Sequence, residues 1–190
     1  MEPTRTRTRG GIAERLSAVG PLDRPAQMLT RRSDQWRGRL ADVMRGRPLG
    51  HALHPALTDL PIGFWTSAVV LDLAGGRKRA AAAKRLVGLG VLTAAPTAVA
   101  GFADLPTLEP AKRRVAVVHA ASNTVALLLF TRSWWARTRG RHGAGILDGL
   151  LASVVATFGG YLGGWMAFGQ APAARDAAEP QPVSRLAAVR

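Results

Sequence analysis

Four long apolar segments, separated by short basic loops, dominate the chain after residue 50. Each segment is long enough to cross a bilayer as an α-helix, which takes about 20 apolar residues at 1.5 Å per residue. The second and third segments carry almost no charge in their cores, whereas the surface helices of a soluble bundle need a charged face. The pattern therefore predicts an all-α, integral membrane four-helix bundle. The predicted spans are about 55–73, 86–105, 115–131 and 146–168.

The polar residues on either side of these segments predict three further regions. Residues 1–25 are rich in arginine, threonine, glycine and proline, which predicts a disordered basic tail with one weak helical turn near 12–19. Residues 26–47 gather apolar side chains on one helical face, which favours an amphipathic interfacial helix over a solvated linker helix. The membrane domain then covers residues 48–168, and residues 169–190 are predicted to be a disordered tail.

The formal net charge of +14 raises the question of nucleic-acid binding. The cations, however, are concentrated before residue 48 and in the loops between apolar segments, as in membrane proteins that contact anionic headgroups. We therefore expect a lipid bilayer with anionic headgroups as a partner, and no nucleic acid. The chain has no cysteine, which excludes an iron–sulfur cluster ligated by this chain. It also lacks the common phosphate-binding and hydrolase motifs, so we expect no enzymatic activity from this chain on its own.

Counting spans divides the polar residues of the apolar segments between two membrane faces. Four spans place both termini on one side, where odd spans start and even spans end. Six polar residues are predicted to converge in a layer on that side: His51, His54, Asp59, Asp104, His119 and Asn123. Trp165 belongs to the same layer, whereas Asp72, His142 and Asp148 fall on the opposite face. Since ionisable groups inside a membrane are costly, His119 needs a partner or an aqueous cavity.

Prolines and glycines mark special positions within the spans. Pro61 lies inside the first span, where it is expected to free the carbonyl of Leu57 and to kink the helix. Pro96 interrupts the second span in the same way. The fourth span has two overlapping G-x-x-x-G spacings, which are typical of helices that pack closely in membranes. The glycines predicted to form this packing face are Gly159, Gly160, Gly163 and Gly164.

Residues 50–63 read G-H-A-L-H-P-A-L-T-D-L-P-I-G. This stretch resembles the opening motif of the domain-of-unknown-function 2231 family, which is close to G-H-P-L-H-P-A-L-x-x-x-P-I-G. The resemblance covers roughly residues 45–168 and continues at residues 71–72, 101–104, 119–123 and 160–164. It implies a four-span helical domain in the bacterial plasma membrane. Some relatives carry a C-terminal Rieske iron–sulfur domain, and related sequences often have histidine where this chain has Trp165.

Three functions follow from these observations. In the first, which we favour, the chain is a membrane anchor or scaffold in which His54, Asp59, His119 and Asn123 cap and cross-link helices through hydrogen bonds. In the second it is a redox-linked subunit. The residues expected to surround haem b, a metal or a quinone are His54 and His119, with Asp104 and Asn123 beside them.

The second function is weakened by the tryptophan at position 165, and it implies a redox partner protein. In the third function the chain is a small transporter or channel subunit, because proline-broken spans can expose backbone carbonyls to a substrate. Four spans are few for a transporter, so this function implies a homo-oligomer. We expect a multi-pass protein of the bacterial plasma membrane with both termini in the cytoplasm.

Overall fold

The structure, a computed structural model, describes residues 11–75 and 77–169. These residues form α-helices joined by short turns, and no strand occurs among them. The helices are α1 (Ile12–Ser17), α2 (Asp23–Gln35), α3 (Arg39–Met44), α4 (Leu53–Gly75), α5 (Ala80–Asp104), α6 (Pro110–Thr138) and α7 (His142–Phe168). The four long helices, α4 to α7, are long and apolar enough to cross a membrane. The predicted all-α membrane bundle is therefore confirmed.

The long helices extend beyond the predicted spans at most of their ends. The largest difference is in α6, where the prediction of 115–131 becomes a helix from Pro110 to Thr138. The prediction followed the apolar core of each span, but arginine and lysine are good helix formers and continue the helix into the interface. Pro110 stands at the first turn of α6, where its missing N–H costs no hydrogen bond.

The bundle consists of two helical hairpins, α4–α5 and α6–α7, because the helices within each pair make the most extensive contacts. Between the hairpins, α5 lies beside α6 and α4 lies beside α7. The larger side chains of α4 and α6 meet at the centre of the bundle. There the rings of Trp65 and Phe130 stack with centroids 4.0 Å apart and planes inclined by 9°.

The contacts between α4 and α6 keep a constant offset of 65 residues along the chain. Trp65 meets Phe130 in the middle of the bundle. The same offset relates the two residue pairs at its ends, which are His54 with His119 and Asp72 with Arg137. Equivalent residues contact each other in this way where two copies meet around a two-fold axis. The two hairpins are thus related by pseudo-two-fold symmetry about an axis that runs along the bundle, as in parallel-repeat membrane proteins.

Residues 11–25 were predicted to be disordered, and this prediction is wrong. They form α1, the turn Gly20–Leu22 and the start of α2. Ala13 is fully buried in a cluster with Val115 of α6 and Leu162 of α7. A small side chain fits the shallow gap between these two helices, and the composition of the segment did not reveal that contact. Residues 1–10 and 170–190, also predicted to be disordered, lie outside the described residues.

The single amphipathic helix predicted over residues 26–47 is also wrong, because α2 and α3 are separate helices. The chain turns between them at Gly38, whose φ of 100° is strained for any residue with a side chain. Leu40 and Val43, placed on the buried face in the prediction, remain largely exposed. The two helices are attached to the bundle by polar groups instead.

The attachment of α2 and α3 uses the last carbonyl groups of α5, which have no partner inside their own helix. The hydroxyl of Ser33 donates to the carbonyl of Phe102 over 2.6 Å. The guanidinium of Arg45 donates to the carbonyl of Ala103 over 3.1 Å and also to the carbonyls of Ser33 and Trp36. These bonds fix α2 and α3 over one end of the bundle.

Pro61 lies inside α4, which continues through it as a single helix. The carbonyl of Leu57, four residues earlier, accepts a hydrogen bond from the hydroxyl of Thr97 on α5 over 3.2 Å. The same hydroxyl lies 2.8 Å from the carbonyl of Thr93. A carbonyl released by a proline in a membrane helix needs a new partner. In this protein the neighbouring helix provides it.

Candidate functional site

His54 lies near the start of α4, with its ring directed towards α5. Its Nδ1 is 2.8 Å from the carbonyl oxygen of Thr97. Because a carbonyl oxygen only accepts, Nδ1 carries the proton and donates it. The ring packs against Gly101, where an added Cβ would come within 2.8 Å of the ring atoms Nδ1 and Cε1. A glycine at this position therefore makes room for the histidine.

His119 is held by α7 in the same way. Its Nδ1 is 2.8 Å from the carbonyl oxygen of Gly159, and its ring packs against Gly163, where an added Cβ would be 3.0 Å from Cε1. In both hairpins the accepting carbonyl and the packing glycine are four residues apart, one helical turn. The pseudo-two-fold symmetry of the bundle therefore extends to the bonds that hold His54 and His119, which we call the histidine pair.

The two rings of the histidine pair face each other with centroids 6.2 Å apart and planes inclined by 86°. The amide nitrogen of Asn123, one turn further along α6, lies 3.0 Å from Nε2 of His119. With Nδ1 already protonated, this Nε2 accepts the amide hydrogen of Asn123 as the neutral imidazole does. Nε2 of His54 makes no hydrogen bond to a described residue. The pair is therefore symmetric in its anchoring and asymmetric at its inner nitrogens.

The histidine pair lies at the end of the bundle to which α1, α2 and α3 are attached. Asp104, the last residue of α5, is near enough to interact electrostatically with His54 and with Arg45. On the α6 side, Arg114 binds the carboxylate of Asp23 with N–O distances of 2.7 and 3.2 Å and donates to the carbonyl of Ser17. The N-terminal helices thus bind this end of the bundle through charged and polar groups on both hairpins.

The layer predicted by counting spans is assembled only in part. His54, His119 and Asn123 are brought together, and Asp104 is next to them. His51 is exposed and its Nδ1 lies 3.1 Å from the carbonyl oxygen of the following residue. Asp59 is exposed on the outer side of α4. Span counting gives the depth of a residue but not the side of the helix on which it lies.

The predicted glycine face of α7 is also half right. Gly159 and Gly163 face α6, where added side-chain atoms would meet Asn123 and His119. Gly160 and Gly164 have no neighbouring atom within 4 Å of an added Cβ. Only one of the two overlapping G-x-x-x-G spacings therefore packs against another helix. Trp165, which stands where relatives often have histidine, packs against the cluster around Ala13.

An ion pair closes the bundle at the opposite end. Arg137 of α6 donates to both carboxylate oxygens of Asp72 on α4, over 2.8 and 2.6 Å, and both side chains are almost completely buried. The guanidinium of Arg137 also donates to the hydroxyl of Ser133 and to the carbonyl of Gly145. The sequence analysis did not single out Arg137. The signal that was available is its position 18 residues after His119, the same separation that joins His54 to Asp72.

A second ion pair lies at this end, between α6 and α7. Arg132 donates to both oxygens of Asp148 over 2.9 and 2.6 Å. The carboxylate is mostly buried, whereas the arginine side chain is 58% exposed. The acidic residues predicted on this face, Asp72 and Asp148, are therefore both neutralised by arginines of α6.

The histidine pair does not fit a metal ion or haem in this arrangement. Within the part of the chain that the structure describes, no group of three or more His, Cys, Asp or Glu side chains could hold a metal ion. Haem ligation needs only two imidazoles, and a backbone bond at Nδ1 is usual for a ligating histidine. However, the nitrogen of His119 that would bind iron is already bonded to the Asn123 amide.

A family model described as a predicted membrane protein, DUF2231, matches residues 50–173. The matched region is more than half of the chain and contains the histidine pair and both ion pairs of the opposite end. The chain belongs to the DUF2231 family. This confirms the resemblance noted at residues 50–63. The DUF2231 match begins just before α4, so that α1, α2 and α3 lie outside it. No curated protein and no solved structure matches the chain.

Proposed function

We propose that this DUF2231 protein is a membrane scaffold, a four-span bundle that carries its N-terminal helices as a fixed cap on one membrane face. The observation that carries the proposal is the bonding of the histidine pair. Each Nδ1 is bound to a backbone carbonyl of the other helix in its own hairpin. Histidines used in this way join helices, which is a structural role.

The remaining polar groups of the membrane segments support the same role. The carbonyl released by Pro61 is bonded by Thr97, and the buried charges of Asp72 and Arg137 neutralise each other. Hydrogen bonds between membrane helices each contribute about 0.6–2 kcal/mol, so several together favour one packing of the two hairpins. This satisfaction of polar groups also argues against a transporter, whose unwound carbonyls must be open to a substrate.

A redox-linked subunit is the second candidate, favoured by one observation. Nε2 of His54 has a lone pair and no described hydrogen-bond partner. Such a nitrogen is an acceptor for the hydroxyl of a quinol. A redox partner protein would be required, since the chain has no cysteine for an iron–sulfur cluster.

The test is to purify the protein in detergent, record visible spectra of the oxidised and reduced forms, and measure metal content and bound quinone. The scaffold proposal expects no Soret band, no stoichiometric metal and no quinone. The variants His54→Ala and His119→Ala should lower the unfolding temperature without changing the spectrum. A Soret band or a bound quinone that is lost in His54→Ala would instead establish the redox function.

The proposal includes a location in the bacterial plasma membrane with both termini in the cytoplasm. The absence of native cysteine allows a direct test with single introduced cysteines at exposed positions. Gln27 lies in α2 at the cap end, and Gly143 lies at the start of α7 at the opposite end. A membrane-impermeant maleimide applied to intact cells should label Gly143→Cys and should label Gln27→Cys only after lysis. The reverse pattern would invert the proposed topology.

A further inference from the structure

A pocket at the end of α6 and α7, away from the histidine pair, is used by none of the contacts that hold the bundle together, apart from the ion pair on its wall. Its volume is about 310 Å³. It is lined by Arg132, Trp135, Ala136, Arg139, Arg141, Ala144 and Asp148. We call this the arginine pocket. Its size is at the lower end of the range found for small-molecule sites.

The arginine pocket has an excess of positive charge. Three guanidinium groups line it, and the one carboxylate, that of Asp148, is already bonded to Arg132. The guanidinium of Arg139 lies 3.6 Å from the centroid of a ring of Trp135, which orients it by a cation–π interaction. Among the described residues, neither Arg139 nor Arg141 has an acidic partner within 4.0 Å. Two arginines are thus available to an anion.

An apolar groove adjoins the arginine pocket and shares Arg132 and Trp135 with it. The groove has a volume of about 430 Å³, and its other lining residues are Leu128, Thr131 and Trp134. Leu128 is seven residues before Trp135, so the groove follows α6 for about 10 Å towards the middle of the span. Tryptophans beside arginines are typical of the membrane interface. A charged pocket therefore opens directly onto an apolar surface that faces the bilayer.

We propose that the arginine pocket and the groove together bind one anionic glycerophospholipid. The phosphodiester lies between Arg139 and Arg141, and an acyl chain lies along Leu128 and Trp134. Guanidinium groups match phosphate oxygens through paired hydrogen bonds. A free phosphate would satisfy the arginines but would leave the groove without an occupant, so the groove favours a lipid. This proposal is independent of the scaffold role.

The test uses the full-length protein in detergent and measures bound lipid by native mass spectrometry. The probes are phosphatidylglycerol, phosphatidylcholine and the soluble anion glycerol 3-phosphate. Wild-type protein should bind phosphatidylglycerol in preference to phosphatidylcholine. Each basic residue near an anionic headgroup strengthens binding about fivefold, so Arg139→Gln/Arg141→Gln should weaken phosphatidylglycerol binding about 25-fold.

Arg31→Gln/Arg32→Gln is the matched control, because it removes two exposed arginines from α2, outside the pocket. It should keep wild-type lipid binding, and circular dichroism should show all variants folded. Leu128→Gln places a polar group in the groove and should weaken phosphatidylglycerol binding while leaving any binding of glycerol 3-phosphate unchanged. Equal loss of binding in the two double variants, or binding of glycerol 3-phosphate as tight as that of the lipid, would overturn the proposal.

Discussion

Asp72 and Arg137 form a bidentate ion pair in which both side chains are almost completely buried. The pair joins α4 to α6, and it lies 18 residues beyond the histidine pair on both helices. A charged residue inside a membrane protein is tolerated where a partner neutralises it. The two charges have opposite signs at positions that the pseudo-two-fold symmetry makes equivalent.

The single variant Arg137→Met should destabilise the protein strongly, because it leaves the carboxylate of Asp72 buried without a partner. Breaking a buried ion pair from one side costs about 3–5 kcal/mol, whereas replacing both partners by apolar residues is often close to neutral. The double variant Asp72→Leu/Arg137→Met should therefore recover most of the lost stability. Thermal unfolding in detergent, followed by circular dichroism, measures both effects.

Arg37→Ala serves as the control for this prediction, because the ion pair of Arg37 with Asp34 is exposed. Exposed ion pairs contribute little to stability. A double variant that is as unstable as Arg137→Met, or a control that is equally unstable, would show that the pair is not stabilised by mutual neutralisation.

The fold was predictable from the sequence because the membrane restricts the choice of structure. An apolar segment of about 20 residues has to be a helix in a bilayer, so length and hydropathy were sufficient to identify α4 to α7. The small helix α1 was not predictable in the same way. Its contact with the bundle rests on one buried alanine, Ala13, and such a contact has no pattern in the sequence.

The candidate site was predictable in depth but not in direction. Span counting brought His54, His119 and Asn123 to one level, where the structure places them together. It assigned Asp59 to the same level, although that side chain is exposed on the outer side of α4. The direction of a side chain depends on how each helix is rotated in the bundle. The shared offset of the α4–α6 contacts was present in the sequence, but an offset acquires meaning only when the contacts are known.

Gly101 should be less tolerant of substitution than Gly160, because a Cβ at Gly101 would meet the ring of His54. The ring is held by its bond to Thr97, so it cannot move away without losing that hydrogen bond. Overpacking of this kind costs about 1–3 kcal/mol. Gly101→Ala should lower the unfolding temperature clearly in detergent, and Gly163→Ala, where the approach is looser, should lower it less.

Gly160→Ala is the matched control on α7, since an added Cβ there has open space around it. It should leave the unfolding temperature unchanged or raise it slightly, because alanine is the better helix former. A Gly101→Ala variant as stable as Gly160→Ala would show that the histidine is not confined by the glycine.

Arg45→Gln should release α2 and α3 from the end of the bundle while α4 to α7 stay folded. The guanidinium of Arg45 is bonded to three backbone carbonyls, on α5 and on α2, and glutamine is too short to replace them. The measurement is limited proteolysis of the protein in detergent, with cleavage expected to increase in residues 24–47. Arg39→Gln is the control, because Arg39 is exposed at the start of α3. Equal protection of the two variants would contradict an anchoring role for Arg45.

The pseudo-two-fold symmetry predicts how the aromatic stack at the centre responds to substitution. The indole of Trp65 fits against Gly90 of α5, where an added Cβ would overlap it. The offset of 62 that relates Thr97 to Gly159 and Gly101 to Gly163 makes Ala152 of α7 the equivalent of Gly90.

Ala152 is fully buried in the core cluster with Phe130. Phe130→Trp should therefore destabilise the bundle by about 1–3 kcal/mol through overpacking. Adding Ala152→Gly should restore part of that stability, although Ala152→Gly alone is destabilising by about 1 kcal/mol or more because it removes a buried methyl group from a helix. The four unfolding temperatures form a double-mutant cycle whose coupling energy should be favourable. Additive losses would mean that the two hairpins are not equivalent at this level of the bundle.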